Sequence, residues 1–250
     1  MLKFIDKYQF NPTQLELFKK HQVDFVINIK FNKKFSNIKA EEFIKKIICK
    51  KINAQLLAVS NNFKFGKNRK GDVSLLKKFS NQEDYFLLKI KPFNYLGKIV
   101  SSTKIRNLLK KGDITLVNKL LSRTWSIEGK VIVGNKIGRK LGYRTCNIDV
   151  KNYILPRLGI YAVKISIENK KNIYGGVAYL GSRPTFGGKD IFLEINIFGI
   201  KQNLYKKNLK IYFLKFLRKD KKFMNSSQLM RQMNKDVIFA KKGLKTKLVL

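Results

Sequence analysis

Three clusters in this sequence carry side chains able to do chemistry on phosphate. The first is Gly134-Asn-Lys-Ile-Gly138-Arg139-Lys-Leu-Gly142-Tyr-Arg-Thr145-Cys-Asn147. Three glycines at that spacing let the backbone bend tightly and turn bare N–H groups toward an anion. The string is not a P-loop, because no Gly-Lys-Ser/Thr comes after four intervening residues, and glycine count alone leaves an ordinary turn between strands open. Thr145 and Asn147 offer oxygen ligands but are also common turn residues. The second cluster is a lone acid, Glu194, inside the apolar run Ile191 to Phe198. A carboxylate there could take a proton from a nearby hydroxyl, although alternation equally allows an outward, solvated position. The third is Ser101-Ser102-Thr103-Lys-Ile-Arg106. Hydroxyls and free N–H groups at a helix amino terminus cradle phosphate, and an arginine one turn in can clamp it. Taken alone, Ser101 to Thr103 also read as an N-cap.

The elements that must position these residues change character partway along the chain. In the first half, short β-branched runs alternate with helical patterns. Asp24–Ile29, Leu56–Ser60 and Tyr85–Lys91 read as strands, and Ala40–Lys51, Asp72–Phe79, Thr103–Lys110 and Ile114–Leu121 as helices. Strands separated by helices imply a parallel sheet with its binding loops at the carboxyl ends of the strands. Past Arg123 the strands come at close spacing: Ser126–Val133, Ile160–Glu168, Ile173–Leu180, Ile191–Phe198 and Leu209–Leu217. That rhythm implies a small antiparallel barrel, closed by an amphipathic helix over about Ser227–Lys241.

Composition narrows the class. The chain has 250 residues, 44% of them hydrophobic, enough for two modest cores. Its two cysteines, Cys49 and Cys146, have neither disulfide-framework nor zinc-site spacing. No uncharged apolar run approaches the ~18 residues of a membrane span, and the start resembles no signal peptide, so a soluble cytoplasmic protein is expected. The net charge of +38 could indicate nucleic acid. The lysines are dispersed rather than gathered beside exposed aromatics, so the charge reads as a solvated surface, with no specific nucleic-acid or membrane partner. The sequence leaves oligomeric state open.

The glycine string resembles the riboflavin kinase signature: a glycine-arginine loop, then leucine-glycine-aromatic, then Pro-Thr-Ala-Asn. Gly159–Val163, Tyr174–Ala178, the Gly181–Phe186 turn, Leu193-Glu194, Leu204-Tyr205 and Leu217-Arg218 with Phe223 continue the resemblance in order across residues 124–242. It implies transfer of the ATP γ-phosphoryl to riboflavin, giving FMN, with Mg²⁺ as cofactor. It also implies that Thr145 holds Mg²⁺ and the nucleotide phosphates, that Asn147 orients flavin and phosphate groups, and that Glu194 is the base. Gly134, Gly138, Arg139 and Gly142 then belong to the nucleotide loop. Two departures stand out, Arg144 where the family has proline and the shorter Asp220 where it has glutamate. Without proline the turn is less pre-organised, and a slower or weaker-binding kinase is expected.

The first half resembles the FMN adenylyltransferase domain of bifunctional FAD synthetases, through Asp24–Ile27, Val59–Gly66 with Arg69–Asp72, and Ser101–Arg106. That resemblance assigns Ser101, Ser102, Thr103 and Arg106 to nucleotide phosphate. The fold expected is α/β plus β: an incomplete nucleotidyltransferase-type parallel α/β domain over 1–123, then a small antiparallel riboflavin kinase β-barrel with a C-terminal helix over 124–250. The family's opening Phe-Asp-Gly-x-His-x-Gly-His is not in this sequence, and the one histidine, His21, reads as a surface residue at a helix end. Adenylyl transfer depends on stabilising charge at phosphorus. A riboflavin kinase with adenylyl transfer absent or very weak is therefore expected, the alternative being a bifunctional enzyme whose amino terminus is missing from this sequence.

Overall fold

The computed structural model describes residues 3–4, 12–133, 142–150, 153–185, 188–200 and 202–244. They divide into two units, Met1–Ile99 and Val100–Leu250.

The first unit is built on parallel pairing. Strand β1 (Lys3–Phe4) pairs with β2 (Phe25–Val26), with helix α1 (Pro12–Lys20) between them in sequence. After the short helix α2 (Lys33–Ser36), helix α3 (Ala40–Glu42) runs on as a π-helix over Phe43–Ile52. An α-helix is expected over that stretch; the winding found is wider by one residue in its hydrogen bonding. Ile44 and Ile48, four apart, still both reach the core. Strands β3 (Leu56–Ser60) and β4 (Phe86–Ile90) pair in parallel from Leu56 opposite Phe86 to Ser60 opposite Ile90. Between them in sequence lies α4 (Val73–Ser80), whose N-cap Asp72 accepts from Leu75 N at 3.0 Å. Val73, Leu76 and Phe79 of α4 bury against Val59, Phe65 and Tyr85. A hairpin of β5 (Asn94–Tyr95) and β6 (Lys98–Ile99) ends the unit. Its turn, Leu96-Gly97, takes φ of 49° and 72°; two positive values make the tight primed turn, which leucine does not advertise.

The second unit starts with α5 (Ser102–Lys111) and α6 (Ile114–Leu121). These helices go with the barrel by packing. Leu109, Ile114 and Val117 share its core, and Asn118 both donates to Phe213 O and accepts from Trp125 N, each at 2.8 Å. The barrel strands are β7 (Ser126–Ile132), β8 (Cys146–Asp149), β9 (Gly159–Ile167), β10 (Ile173–Thr185), β11 (Gly188–Ile197) and β12 (Asn208–Arg218). They close in the order β10-β11-β8-β7-β12-β9 with every pairing antiparallel. Inward residues such as Ile148, Ile165, Leu193, Ile195 and Ile211 are fully buried, the expected consequence of period-two alternation in a small barrel. Strand β8 is not expected from the sequence, being four residues long with two polar ones, Asn147 and Asp149, among them. Helix α7 (Ser226–Gly243), capped by Asn225, packs outside β9, β10 and β12.

Candidate functional site

The register of β8 against β11 sets Asn147 opposite Glu194 and Ile148 opposite Leu193. Ile148 and Leu193 point into the barrel, so Asn147 and Glu194 lie on its outer face, and the row extends to Tyr179 on β10. Glu194 thus takes the outward position that alternation allowed. That face is a wall of the site rather than open surface, because α7 packs over the neighbouring strands. Thr145, two residues before Asn147, shares the face, and its Oγ1 donates to Glu194 Oε1 at 2.5 Å. A hydroxyl bonded to a carboxylate is short and strong because the acceptor is charged.

Two cavities meet at Thr145. One, of about 360 Å³, is bounded by the outer face and α7 and lined by Tyr143, Ile160, Val177, Phe192, Phe223 and Met233 among others, with Thr145 and Glu194 in its wall. The second, of about 270 Å³, is lined by Val131, Arg144, Cys146, Ile195, Asn203 and Tyr205, again with Thr145. The first is mostly apolar and aromatic; the second mixes polar and apolar groups. A molecule in each would bring its end to the same hydroxyl.

The apolar cavity is stiffened by polar ties at its edges. Arg218 grips Asp236 of α7 through two hydrogen bonds, Nε to Oδ1 at 2.8 Å and Nη2 to Oδ2 at 2.6 Å, and Gln232 Nε2 donates to the same carboxylate at 2.9 Å. Tyr179 OH donates to Asp220 Oδ2 at 2.6 Å, and its ring meets Phe192 edge-on at 5.4 Å. Gly181 makes room for that ring: a Cβ there would lie 2.4 Å from Tyr179 Cζ. The shorter Asp220 therefore has a defined partner.

Asn147 bears on whether a magnesium ion fits. Its residue is 6% exposed, yet its side-chain amide makes no hydrogen bond among the described residues. Burying an amide without a partner costs about 1–3 kcal/mol, which suits a group kept for a ligand. Thr145 and Asn147 give two neutral oxygen donors on one face, the hard donor type Mg²⁺ prefers while it keeps several waters and phosphate oxygens. No cluster of three or more His, Cys, Asp or Glu able to hold a metal exists among the described residues.

Of the other residues singled out by sequence, Gly134, Gly138 and Arg139 lie outside the described residues. Gly142, just before Tyr143, holds φ of 81° and is exposed. Arg144 O accepts from Asn196 Nδ2 at 2.8 Å. Ser101 caps α5, accepting from Lys104 N at 3.2 Å, while Arg106 Nε donates back to Ser102 O at 3.2 Å. Ser102, Thr103 and Arg106 are exposed at that first turn. In the first unit, Ser60 Oγ donates to Asn62 Oδ1 at 2.9 Å, Phe63 and Phe65 stack at 5.5 Å, and Lys64 pairs with Asp72 at 3.1 Å. His21 is exposed just after α1. Sequence reasoning missed Phe192 and Asn196, which alternation from Glu194 would have placed on its face. It also missed Tyr179, Tyr143 and the Arg218–Asp236 pair, whose partners are remote in sequence.

Comparison with known proteins gives a consistent answer. The riboflavin kinase family model matches residues 121–244, and the FAD synthetase model matches residues 9–104. The bifunctional riboflavin kinase/FMN adenylyltransferase of Buchnera aphidicola subsp. Schizaphis graminum is 40% identical over 225 residues, 88% of this chain and 72% of that protein. Its namesake from Escherichia coli K12 is 30% identical over 219 residues, 88% of this chain and 70% of that one. A crystal structure described as a macrolide-efflux protein from Streptococcus pneumoniae superposes with a TM-score of 0.83 at 27% identity, covering 96% of this chain and 82% of that one. No helix among the described residues is long and apolar enough to cross a membrane. The match over residues 9–104 favours the bifunctional reading over the expected loss of adenylyl transfer.

Proposed function

The chain belongs to the bifunctional riboflavin kinase/FMN adenylyltransferase family, and from that premise we propose that its barrel phosphorylates riboflavin at the corner formed by Thr145, Asn147 and Glu194. The observation that carries the reading is the Thr145–Glu194 hydrogen bond at the junction of the two cavities. The aromatic cavity suits the flat, apolar isoalloxazine ring, whose ribityl chain would extend toward Glu194. The mixed cavity suits ATP, with its γ-phosphate directed at Thr145.

In this reading a Glu194 carboxylate oxygen accepts the proton of the ribityl terminal hydroxyl. The hydroxyl oxygen bonds to the γ-phosphorus as the bond to the β-phosphate bridging oxygen breaks, and ADP leaves. Phosphoryl transfer is catalysed mainly by alignment and charge neutralisation. Thr145 and Asn147 would hold Mg²⁺, which supplies positive charge against the phosphates. Thr145 would hold the ion through an oxygen lone pair while its own O–H still donates to Glu194, so the hydrogen bond keeps the base aligned. The second reaction, adenylyl transfer to FMN, falls in this proposal to the other half of the family pattern, with Ser101, Ser102, Thr103 and Arg106 contacting nucleotide phosphate.

The test is incubation of the purified protein with riboflavin and MgATP, resolving FMN from FAD. FMN is expected, and FAD with it if the bifunctional reading holds. Glu194→Gln should lower FMN formation by at least about 10²-fold while leaving FAD formation from supplied FMN unchanged. Near-normal phosphorylation by the variant would remove Glu194 from the mechanism, and no FMN from the wild-type protein would remove the kinase reading itself.

A further inference from the structure

Thr145 sits in a segment, Tyr143–Thr145, that is neither helix nor strand and comes directly after a glycine at φ of 81°. Arg144 does not restrict the backbone as a proline would. Yet the segment is fastened on two sides. On one, Tyr143 OH donates to Asn234 Oδ1 of α7 at 2.5 Å. On the other, Asn196 Nδ2, from the outer face of β11, donates to Arg144 O at 2.8 Å. The residue between these ties and β8 is Thr145, bonded to Glu194, two residues from Asn196 on the same strand face. We infer that Tyr143, Asn196 and Asn234 are positioning residues that hold Thr145 in place for phosphoryl transfer, doing through side chains what a proline at position 144 would do through φ. The inference rests on the kinase reading of Thr145.

The ties join the segment both to α7, which covers the aromatic cavity, and to β11, which carries Glu194. Releasing them loosens the hydroxyl relative to both cavities at once while removing no group that touches a reacting atom. A displacement of about 1 Å at a reacting group costs on the order of 10²-fold in rate. The effect should therefore appear in turnover with MgATP, and a restored φ constraint should reverse it. Arg144 is not among the residues at positive φ, the region that proline cannot adopt.

The test compares Tyr143→Phe, Asn196→Ala and Arg144→Pro, alone and combined, by kcat and KM for MgATP and riboflavin, with thermal melts beside them. Tyr143→Phe and Asn196→Ala should each lower kcat/KM for MgATP by roughly 10-fold or more. Because the Arg144 side chain lines the ATP cavity, each double variant is compared with Arg144→Pro alone, and against that baseline Tyr143→Phe or Asn196→Ala should cost much less than it does beside Arg144. A loss of the same size in the proline and arginine backgrounds for both variants, or no loss at all, overturns the inference. Should Asn196→Ala fail to fold, Tyr143→Phe with and without Arg144→Pro decides by the same criterion. Absence of FMN from the wild-type enzyme would instead count against the kinase reading, so the two failures are distinct.

Discussion

Cys146 stands between Thr145 and Asn147 but faces the other way, with its Sγ toward Ile195 O at 3.6 Å. Burial pushes its thiol from an ordinary value of 9.0 up to about 12. Only the thiolate reacts with electrophiles. Near pH 8 a rise from 9 to 12 cuts the thiolate fraction by about 10³-fold, so iodoacetamide should label Cys146 in the native protein far more slowly than in urea. Equal rates, read by peptide mapping, would show that the thiol is not enclosed. Tighter proton binding in the folded state sets the sign for stability. That contribution is fully present below the unfolded value and is lost as pH climbs from about 9 to about 12. At this scale the sequence was legible where chemistry is local. Thr145 and Asn147 lie in one short string, and Glu194 is the only acid in its run. The ties that hold them were not, because Tyr143 meets Asn234 91 residues away and Arg218 meets Asp236 across a turn and a helix.

Helix α7 makes the aromatic cavity a cavity, and its strongest polar link to the barrel is the Arg218–Asp236 pair, with side chains 15% and 5% exposed. Removing one member of a buried pair leaves the other charge without compensation, at a cost of about 3–5 kcal/mol. Asp236→Ala should therefore lower the denaturation midpoint sharply and raise KM for riboflavin more than KM for MgATP, since only the aromatic cavity is walled by α7. Equal changes in both constants would mean that α7 serves the fold rather than the flavin site. Elements of this length and pattern could be read in advance. Leu56–Ser60 and Ile114–Leu121 match expectation residue for residue, and α7 extends the expected Ser227–Lys241 by one or two residues at each end. What escaped was short or unusual in winding. β8 is four residues, too few for period two to register, and Phe43–Ile52 winds as a π-helix where apolar spacing alone cannot tell one pitch from another.

For the whole molecule the dominant fact is charge. The chain carries 54 lysines and arginines against 16 acids. Exposed pairs such as Lys46–Glu42 and Lys64–Asp72 contribute little, because solvent and salt screen them. Repulsion among the unmatched cations is spread over the entire surface and opposes the compact state. Salt weakens both effects, since the Debye length falls from about 30 Å at 0.01 M to about 8 Å at 0.15 M. With so few acids, the relief of repulsion should exceed the loss of exposed pairs, and the protein should become more stable over that range. For a chain of this size, each kcal/mol of repulsion relieved raises the melting midpoint by about 2–4 °C. Melts in sodium chloride at fixed pH test this directly. A midpoint that falls with salt would mean that the lysines are locally paired more effectively than the formal charge implies, and the dispersed, solvated surface read from the sequence would have to be replaced by ion-pair networks.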